Sequence, residues 1–295
     1  VKRLFEPIEE NIYCKIKNHQ QYGIAVLPYY HLHDGCEIFI LMKGSVNYYI
    51  EDHCYRLKEG SLMIISPNEY HRASLIDSSV YDRIVINIKT SVFHDFSTGD
   101  TNLAHCFLER PVSTRNLIQL SRLDLHEFLV LAKNLEATLD QKDFGYDLLA
   151  VSYLLQILVK LNKLYYSASA EKLSALPDIM PVLVKDIMLY IDQNLTDPLS
   201  LSELSRRFYH NGAYISRRFK ETTGLPLSQY ILNKRINLAK GLLEGGHSVT
   251  DACMLSGFNN YPNFCRTFSE RVGVSPKKYQ NSNRAAFKRH ISDPV

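Results

Sequence analysis

Between Tyr22 and Ile88 the apolar positions come in short runs, AVLPYY, EIFILM, VNYYI, SLMIIS and RIVINI, with Gly44, Asp52, Gly60, Asn68 and Asp77 marking the breaks. Runs of about five residues at such close spacing predict antiparallel strands of a small barrel or sandwich, because βαβ units need a longer crossover between strands. In RIVINI, Ile84, Ile86 and Ile88 alternate with Val85 and Asn87, so that strand has one plainly apolar face. After Leu123 the period lengthens. LDLHEFLVLAKNLEATLD and FGYDLLAVSYLLQILVKLNKLYY predict two helices, and the break at QKD and Gly145 is short enough for an antiparallel pair. The second helix is apolar around most of its circumference, with Leu148, Val151, Leu155 and Leu158 on one line and Leu154, Ile157, Leu161 and Leu164 on another. One face can pack on the strands and the partner helix; the other needs a cover, either a second subunit or the C-terminal part of the chain. The first twenty residues are not strongly periodic, and SASAEKLSALPD at 167–178 reads as a linker, small, polar and ended by proline.

From Leu199 to Tyr279 the pattern is written twice. RRFKETTGLPLSQY from Arg217 aligns with RTFSERVGVSPKKY from Arg266 at an offset of 49, pairing Arg217 with Arg266, Phe219 with Phe268 and Gly224 with Gly273. Upstream the offset is 48, where Ser200 and Ser248 are each followed three residues later by an acid, Glu203 or Asp251. That spacing caps a helix: the serine oxygen accepts an orphan backbone N–H and the acid reaches back. Each copy is therefore a capped helix, a tight turn and a second helix stopped at glycine, the helix-turn-helix pattern. In the first second-helix Tyr214, Ile215, Phe219 and the stem of Arg218 are expected inward, leaving Ala213, Ser216, Arg217 and Lys220 outward. In the second, Phe264 and Phe268 point in, while Tyr261, Pro262, Asn263, Cys265 and Arg266 point out or sit at the start. Asn260 suits the N-cap, and Pro262 is tolerated because it lies in the first turn. An outward arginine on such a helix can pair with guanine O6 and N7 in a major groove. A bundle with a merely solvated charged face would not need caps, stops and arginines that match between copies.

Residues Leu199 to Tyr279 closely resemble the DNA-binding domain of AraC/XylS-type transcription regulators. LSLSELSRRF…YISRRFKETTGLPLSQYI is similar to that family's first motif, KRINLAKGLL to its joining helix, and GFNNYPNFCRTFSERVGVSPKKY to its signature G-F-x5-F-x-R-x-F-x4-G-x-[ST]-P-x-x-Y. The resemblance implies that Ala213, Ser216 and Arg217, then Tyr261, Pro262, Asn263, Cys265 and Arg266, stand where family members touch DNA. Ser205 and Cys253 replace the usual alanine of each first helix, and Pro262 replaces a usual small polar residue, which bears on base preference and not on fold. Because related regulators dimerise through the helical pair, a second subunit is the preferred cover for its apolar face.

Charge follows the same division. Residues 178–295 hold 16 Lys+Arg against 10 Asp+Glu, a net of +6, whereas residues 1–177 hold 18 against 21, a net of −3. The basic excess lies on the part a polyanion would contact. The six cysteines form no C-x-x-C and no regular framework, which suits reduced thiols in the cytoplasm. No secretory pattern opens the chain, and the longest mostly apolar stretch, Leu148 to Val159, falls short of the ~20 residues a membrane span needs.

The remaining chemistry lies in HLHDGCEIFILMKG, where His31, His33 and Glu37 share one parity and would project from one face of a continuous strand, with His71 of SPNEYHR able to meet them. The spacing H-x-H-x3-E-x6-G resembles the first motif of cupin barrels. G-x6-P-x3-H, from Gly60 to His71, resembles the second, one residue short and without its central glycine. In metal-binding cupins those three histidines and the glutamate are ligands; in the sugar-responsive regulators a similar barrel holds an organic effector and usually no metal. Satisfied polar groups at a barrel mouth, an organic-ligand pocket and a metal site are thus all open. The adopted expectation is an effector pocket of His31, His33, Glu37, Tyr48 and His71 with no metal, no cofactor and no catalytic residue; Tyr29, Tyr30, Tyr49 and Tyr70 crowd the same region.

The expected architecture is α+β: a cupin-like antiparallel β-barrel with a helical pair at 1–166, the linker, and an all-α domain with two helix-turn-helix motifs at 179–295. The expected protein is a cytoplasmic, sequence-specific DNA-binding regulator, not an enzyme, that binds double-stranded DNA as a homodimer without membrane contact. A small polar effector such as a sugar would control it, and RNA polymerase would be a partner if it activates. The alternatives are a metal-dependent cupin enzyme fused to a nucleic-acid-binding domain, and an effector-independent regulator.

Overall fold

Four strands follow the runs EIFILM, VNYYI, SLMIIS and RIVINI, and four others are added to them. In this computed structural model, which describes residues 8–18, 29–33, 35–67, 69–76, 80–110, 116–167 and 179–281, a short helix α1 (Ile8–Asn11) leads into β1 (Ile12–Lys17). Then come β2 (Cys36–Gly44), β3 (Val46–Ile50), β4 (His53–Leu57), β5 (Ser61–Ile65), β6 (His71–Leu75) and β7 (Tyr81–Ile88). Helices α2 (Thr90–Phe96) and α3 (His105–Leu108), strand β8 (Leu117–Gln119), and the long helices α4 (Arg122–Gln141) and α5 (Tyr146–Ser167) complete the first of two units, Val1–Met180. β1 lies in the stretch that looked aperiodic: Ile12, Cys14 and Ile16 alternate, masked by Lys15 and Lys17, and the strand pairs with β7 along its whole length. Of AVLPYY, residues 25–28 lie outside the described residues, as do Asn68, Asp77, linker residues 168–178 and tail residues 282–295. Tyr29 and Tyr30 are not in a strand.

All pairings among the described strands are antiparallel, in a five-stranded sheet ordered β1-β7-β2-β5-β8 and a three-stranded sheet ordered β4-β3-β6. The period of two decides the layers. Cys36, Ile38 and Ile40 of β2, Leu62 and Ile64 of β5, and Ile84, Ile86 and Ile88 of β7 join one core, with the helices. Phe39 and Leu41, Met63 and Ile65, and Tyr81 point the other way into a second core shared with Val46, Tyr48 and Ile50 of β3. A sheet apolar on both faces needs a layer on each side, and it has a helical one and a β one.

The helical layer corrects the expected division of α5. Ala150, Leu154, Ile157, Leu158 and Leu161 form one buried stripe against Phe128, Ala132 and Leu135 of α4 and the sheet. Leu154 and Leu161 therefore belong to the domain's own core, and the uncovered face is that of Leu148, 74% exposed, with Leu149, Val159 and Tyr166. The two lines drawn from the sequence diverge by less than one helical face, so both contribute to the stripe. Asn162 pins the helix: its side-chain amide donates to Leu103 O and Leu158 O, and its oxygen accepts from Cys106 N–H. By length and composition α5, 22 residues at a mean hydropathy of 1.3, reaches what a membrane span needs, well beyond the stretch read above. Ala150, Leu154, Ile157, Leu158 and Leu161 are nonetheless part of this core.

The second unit, Pro181–Val295, holds α6 (Val182–Gln193), α7 (Leu201–Phe208), α8 (Gly212–Thr223), α9 (Leu227–Glu244), α10 (Val249–Leu255) and α11 (Tyr261–Val272). α6 was not read from the sequence; its Val184, Ile187, Met188 and Ile191 make one buried face. Ile236, Ala239 and Leu243 of α9 pack with Ala252, Cys253, Phe258, Phe264 and Phe268, so the joining helix supplies the core of the second motif. Gly257 closes that motif onto the first. It stands at φ +83°, and a Cβ there would lie 2.8 Å from Leu195 O and 3.0 Å from Arg235 Nε. Arg235 in turn donates to Leu195 O (2.9 Å) and Asp197 O (2.7 Å), tying α9 to the turn before α7.

Candidate functional site

Both helix-turn-helix motifs are capped as their spacing predicts. Ser200 Oγ accepts from Glu203 N–H at 3.1 Å and Ser248 Oγ from Asp251 N–H at 3.0 Å. Asn211 and Asn260 cap α8 and α11 through Ala213 N–H and Asn263 N–H, each at 2.8 Å, and Gly224 and Gly273 end them in left-handed conformation. In α8 the buried residues are Ile215, Phe219, Thr222 and Thr223. Ala213, Arg217 and Lys220 are exposed and Ser216 is half-buried. Tyr214, expected inward, is not: it is exposed beside His210, while Arg218, expected inward by its stem alone, is half-buried with its guanidinium 3.2 Å from Glu221.

In α11 Phe264, Thr267 and Phe268 are buried, Tyr261, Pro262, Asn263 and Arg266 are exposed, and Cys265 is half-buried. Arg266 donates to Asn263 Oδ1 at 2.9 Å, so the cap and the guanidinium are joined through one residue. Arg217 lies 4.0 Å from Glu221 and 5.7 Å from the Tyr214 ring centre. Arg217 and Arg266 are thus both exposed, each with a neighbour that orients it.

The histidines do not share a continuous strand, because β2 begins only at Cys36. They converge by another route. His31 and His71 exchange backbone hydrogen bonds as an isolated antiparallel bridge (3.0 and 2.9 Å), which extends β6 toward the turn. Gly35 then lets the chain press against the end of β7, where a Cβ would stand 2.4 Å from Ile88 O. The imidazole centres are 4.4 Å apart for His31 and His71, 5.0 Å for His33 and His71, and 5.2 Å for His31 and His33. The short second motif does not displace His71. Glu37 sits among them, 3.0 Å from His33 Nε2 and 3.9 Å from His71 Nε2, and accepts from Tyr48 Oη at 3.3 Å.

A cavity of ≈ 260 Å³ opens beside this cluster, lined by His31, His33, Glu37 and Tyr48 together with Tyr13, Lys17, Tyr81, Arg83 and Asn87. Sequence reasoning missed the last five. Arg83 and Asn87 were visible as the polar positions of RIVINI, opposite the isoleucines, and β1 brings Tyr13 and Lys17 by pairing with β7. Arg83 stacks on Tyr81 with its guanidinium 4.0 Å from the ring centre. The other tyrosines expected here go elsewhere: Tyr30 is buried and donates to Glu51 O, Tyr49 lies under Arg72, and Tyr29 is exposed. Burial would raise the Glu37 pKa, but the hydrogen bond from His33 and the adjacent imidazoles outweigh it and hold the carboxyl down at about 2. Burial, then the neighbouring His71, lowers His31 to about 4, and burial lowers His71 as well. Burial therefore works against a charge on His31 and His71, while Glu37 keeps its negative charge.

The AraC-like ligand binding domain family matches residues 13–158, and the Helix-turn-helix domain family matches residues 204–282. The chain belongs to the AraC family of transcription regulators. Among AraC-type relatives it is 26% identical over 253 residues to the probable transcriptional regulator LumQ of Photobacterium leiognathi, covering 85% of this chain and 91% of LumQ. It is 24% identical over 258 residues to an uncharacterized HTH-type transcriptional regulator of Staphylococcus aureus strain MSSA476, covering 85% of this chain and spanning only 32% of that relative. Among solved structures, ToxT from Vibrio cholerae is similar over 92% of this chain and 93% of its own, at 18% identity and a TM-score of 0.35.

Proposed function

We propose that this AraC-type regulator binds double-stranded DNA sequence-specifically, through α8 and α11 in two successive major-groove segments, and that a small polar effector in the cavity controls it. The observation that carries the reading is the duplicated presentation of Arg217 and Arg266, each exposed on a capped helix whose opposite face is core. A helix fits the major groove, and a guanidinium fork matches guanine O6 and N7. Ala213, Ser216 and Lys220 on α8, and Tyr261, Pro262, Asn263 and Cys265 on α11, flank these arginines and would complete the two contacts. The net charge of +6 over residues 178–295 favours the phosphate backbone.

His31, His33, Glu37 and Tyr48 form the effector end of the cavity, with His71 buried beside them rather than on its lining, and the volume suits a molecule of sugar size with hydrogen-bonding groups. The protein acts in the cytoplasm as a homodimer through the exposed face of α5 (Leu148, Val159 and Tyr166), contacts RNA polymerase where it activates, and has no catalytic role. The test is selection of DNA from a random library by the full chain, followed by footprinting. A shared motif protected over two adjacent major-groove segments is expected; recovered sequences with no common motif would refute sequence-specific binding.

A further inference from the structure

Strand pairing lays the floor of the cavity out in rows. Cross-strand partners share a face of the sheet, so the registers of β1, β7 and β2 give each row directly. Tyr13, Asn87 and Glu37 form the first row, Val85 and Phe39 the second, and Lys17, Arg83 and Leu41 the third. Lys15 belongs to the second row by register, but its ammonium leaves the sheet edge for Asp140 at 2.7 Å and Glu136 at 3.5 Å. Of these residues all but Lys15 and Leu41 line the cavity.

The floor is thus polar at both ends and apolar between, and its ends differ in hydrogen-bonding character. Glu37 keeps its negative charge, and Asn87 Oδ1 is buried with no hydrogen-bond partner among the described residues. Both oxygens accept, so whatever meets them must bring hydrogens. Lys17 and Arg83 only donate, so their end calls for acceptors. They stand directly opposite each other on adjacent strands, an arrangement of like charges that weakens a sheet. Arg83 is 6% exposed and stacked on Tyr81, and Lys17 Nζ lies 5.6 Å from the ring centre of Tyr13. An anion between the two turns their repulsion into attraction, and burial reduces its screening by salt.

We propose that the effector is a hydroxylated organic acid, its carboxylate or phosphate held by Lys17 and Arg83 and its hydroxyls donating to Glu37 and Asn87. The proposal rests on the reading of this cavity as the effector site and names the class of molecule it takes. The first and third rows are four residues apart along β7, roughly 13–14 Å of strand. A hydrogen bond of about 2.9 Å at each end leaves roughly 8 Å, the length of a sugar acid or sugar phosphate of about six carbons. Val85 and Phe39 lie under its carbon skeleton. A neutral sugar leaves the repulsion between Lys17 and Arg83 in place. A fatty or aromatic acid satisfies that pair but sets apolar carbon against Glu37 and Asn87.

The test is a thermal-shift panel on the full chain at fixed ionic strength. It consists of common pentoses and hexoses, each with its uronate, its aldonate and its terminal phosphate, and of octanoate and benzoate as acids without hydroxyls. At least one sugar acid or phosphate should raise the thermal midpoint, its neutral parent binding at least tenfold more weakly; sugar acids against phosphates tell which anionic group fits. Lys17→Gln and Arg83→Gln should each weaken that response at least tenfold, and Lys17→Arg, which keeps the charge, should retain it. Because Lys17 lies on the edge strand, Lys17→Gln should fold, with a ligand-free midpoint in low salt no lower than that of the wild type. A neutral sugar, octanoate or benzoate that raises the midpoint as much overturns the proposal, as does a panel in which nothing responds. An acid that acts equally on wild type and both glutamine variants binds elsewhere and overturns it too. DNA affinity with and without the responding acid keeps the two readings apart: an unchanged affinity counts against effector control and not against the anion subsite.

Discussion

Arg266→Ala removes the exposed guanidinium that stands one turn from the start of the second reading helix. Its hydrogen bond among the described side chains is to Asn263 Oδ1, on the same helix face, so the core of Phe264, Thr267 and Phe268 does not depend on it. Stability should therefore move by no more than about 0.5 kcal/mol. If the fork pairs with a guanine, its loss costs about 1–3 kcal/mol on the specific site, or roughly a 5- to 160-fold rise in Kd. Lysine separates the two modes of contact, because it keeps the charge and loses the planar fork. Arg266→Lys should bind the selected site nearly as poorly as Arg266→Ala, while both bind random DNA almost as wild type does. The assay is fluorescence anisotropy on selected and random duplexes over a series of salt concentrations. A phosphate contact predicts the opposite: equal loss on both duplexes, rescue by lysine, and a salt slope smaller by about 0.9. That outcome would refute base reading by α11. Arg217→Ala tests α8 in the same way.

Gly257→Ala should destabilise the chain by about 1–3 kcal/mol, because φ +83° and the Leu195 carbonyl both exclude a Cβ; an unchanged thermal midpoint would contradict the packing described. Leu161→Ala, at a fully buried position, should cost about 2–5 kcal/mol. Leu148→Glu, on the exposed face, should leave the fold intact and convert the proposed dimer to monomers by light scattering; a persisting dimer would place the interface elsewhere. Burial pushes the Cys14 and Cys106 thiols up to about 12, so at pH 8 a disulfide reagent should titrate half-exposed Cys265 before them. Because an unfolded thiol ionises near 9 and these do not, their contribution to stability is complete below pH 9 and is lost as pH rises toward 12, which melts at pH 8 and 10 will show.

The helix-turn-helix pair was legible because its signals are local. Ser200, Ser248, Asn260, Gly224 and Gly273 act on backbone groups within four residues, and they form the caps and stops their spacing predicts. Strands β2, β3, β5 and β7 were legible for the same reason, since alternation such as Ile84, Ile86 and Ile88 is read within one segment, whereas β4 and β6, HCYRL and HRASL, carry no apolar run of their own. What the sequence left open depended on partners far along the chain. β1 carries a weak alternation that becomes a strand through pairing with β7, some seventy residues later. That pairing is what places Tyr13 and Lys17 in the cavity. Periodicity placed two apolar lines on α5 but could not say which was covered, because the answer lay in α4, the sheet and the Asn162 bonds to Leu103 and Cys106. For the histidines, sequence parity brought together the right residues on an incorrect premise. No continuous strand carries His31, His33 and Glu37; a two-residue bridge between His31 and His71 and the close approach at Gly35 do. Spacing determines which side chains share a face only while the backbone stays regular, and where it breaks, long-range pairing decides where the side chains meet.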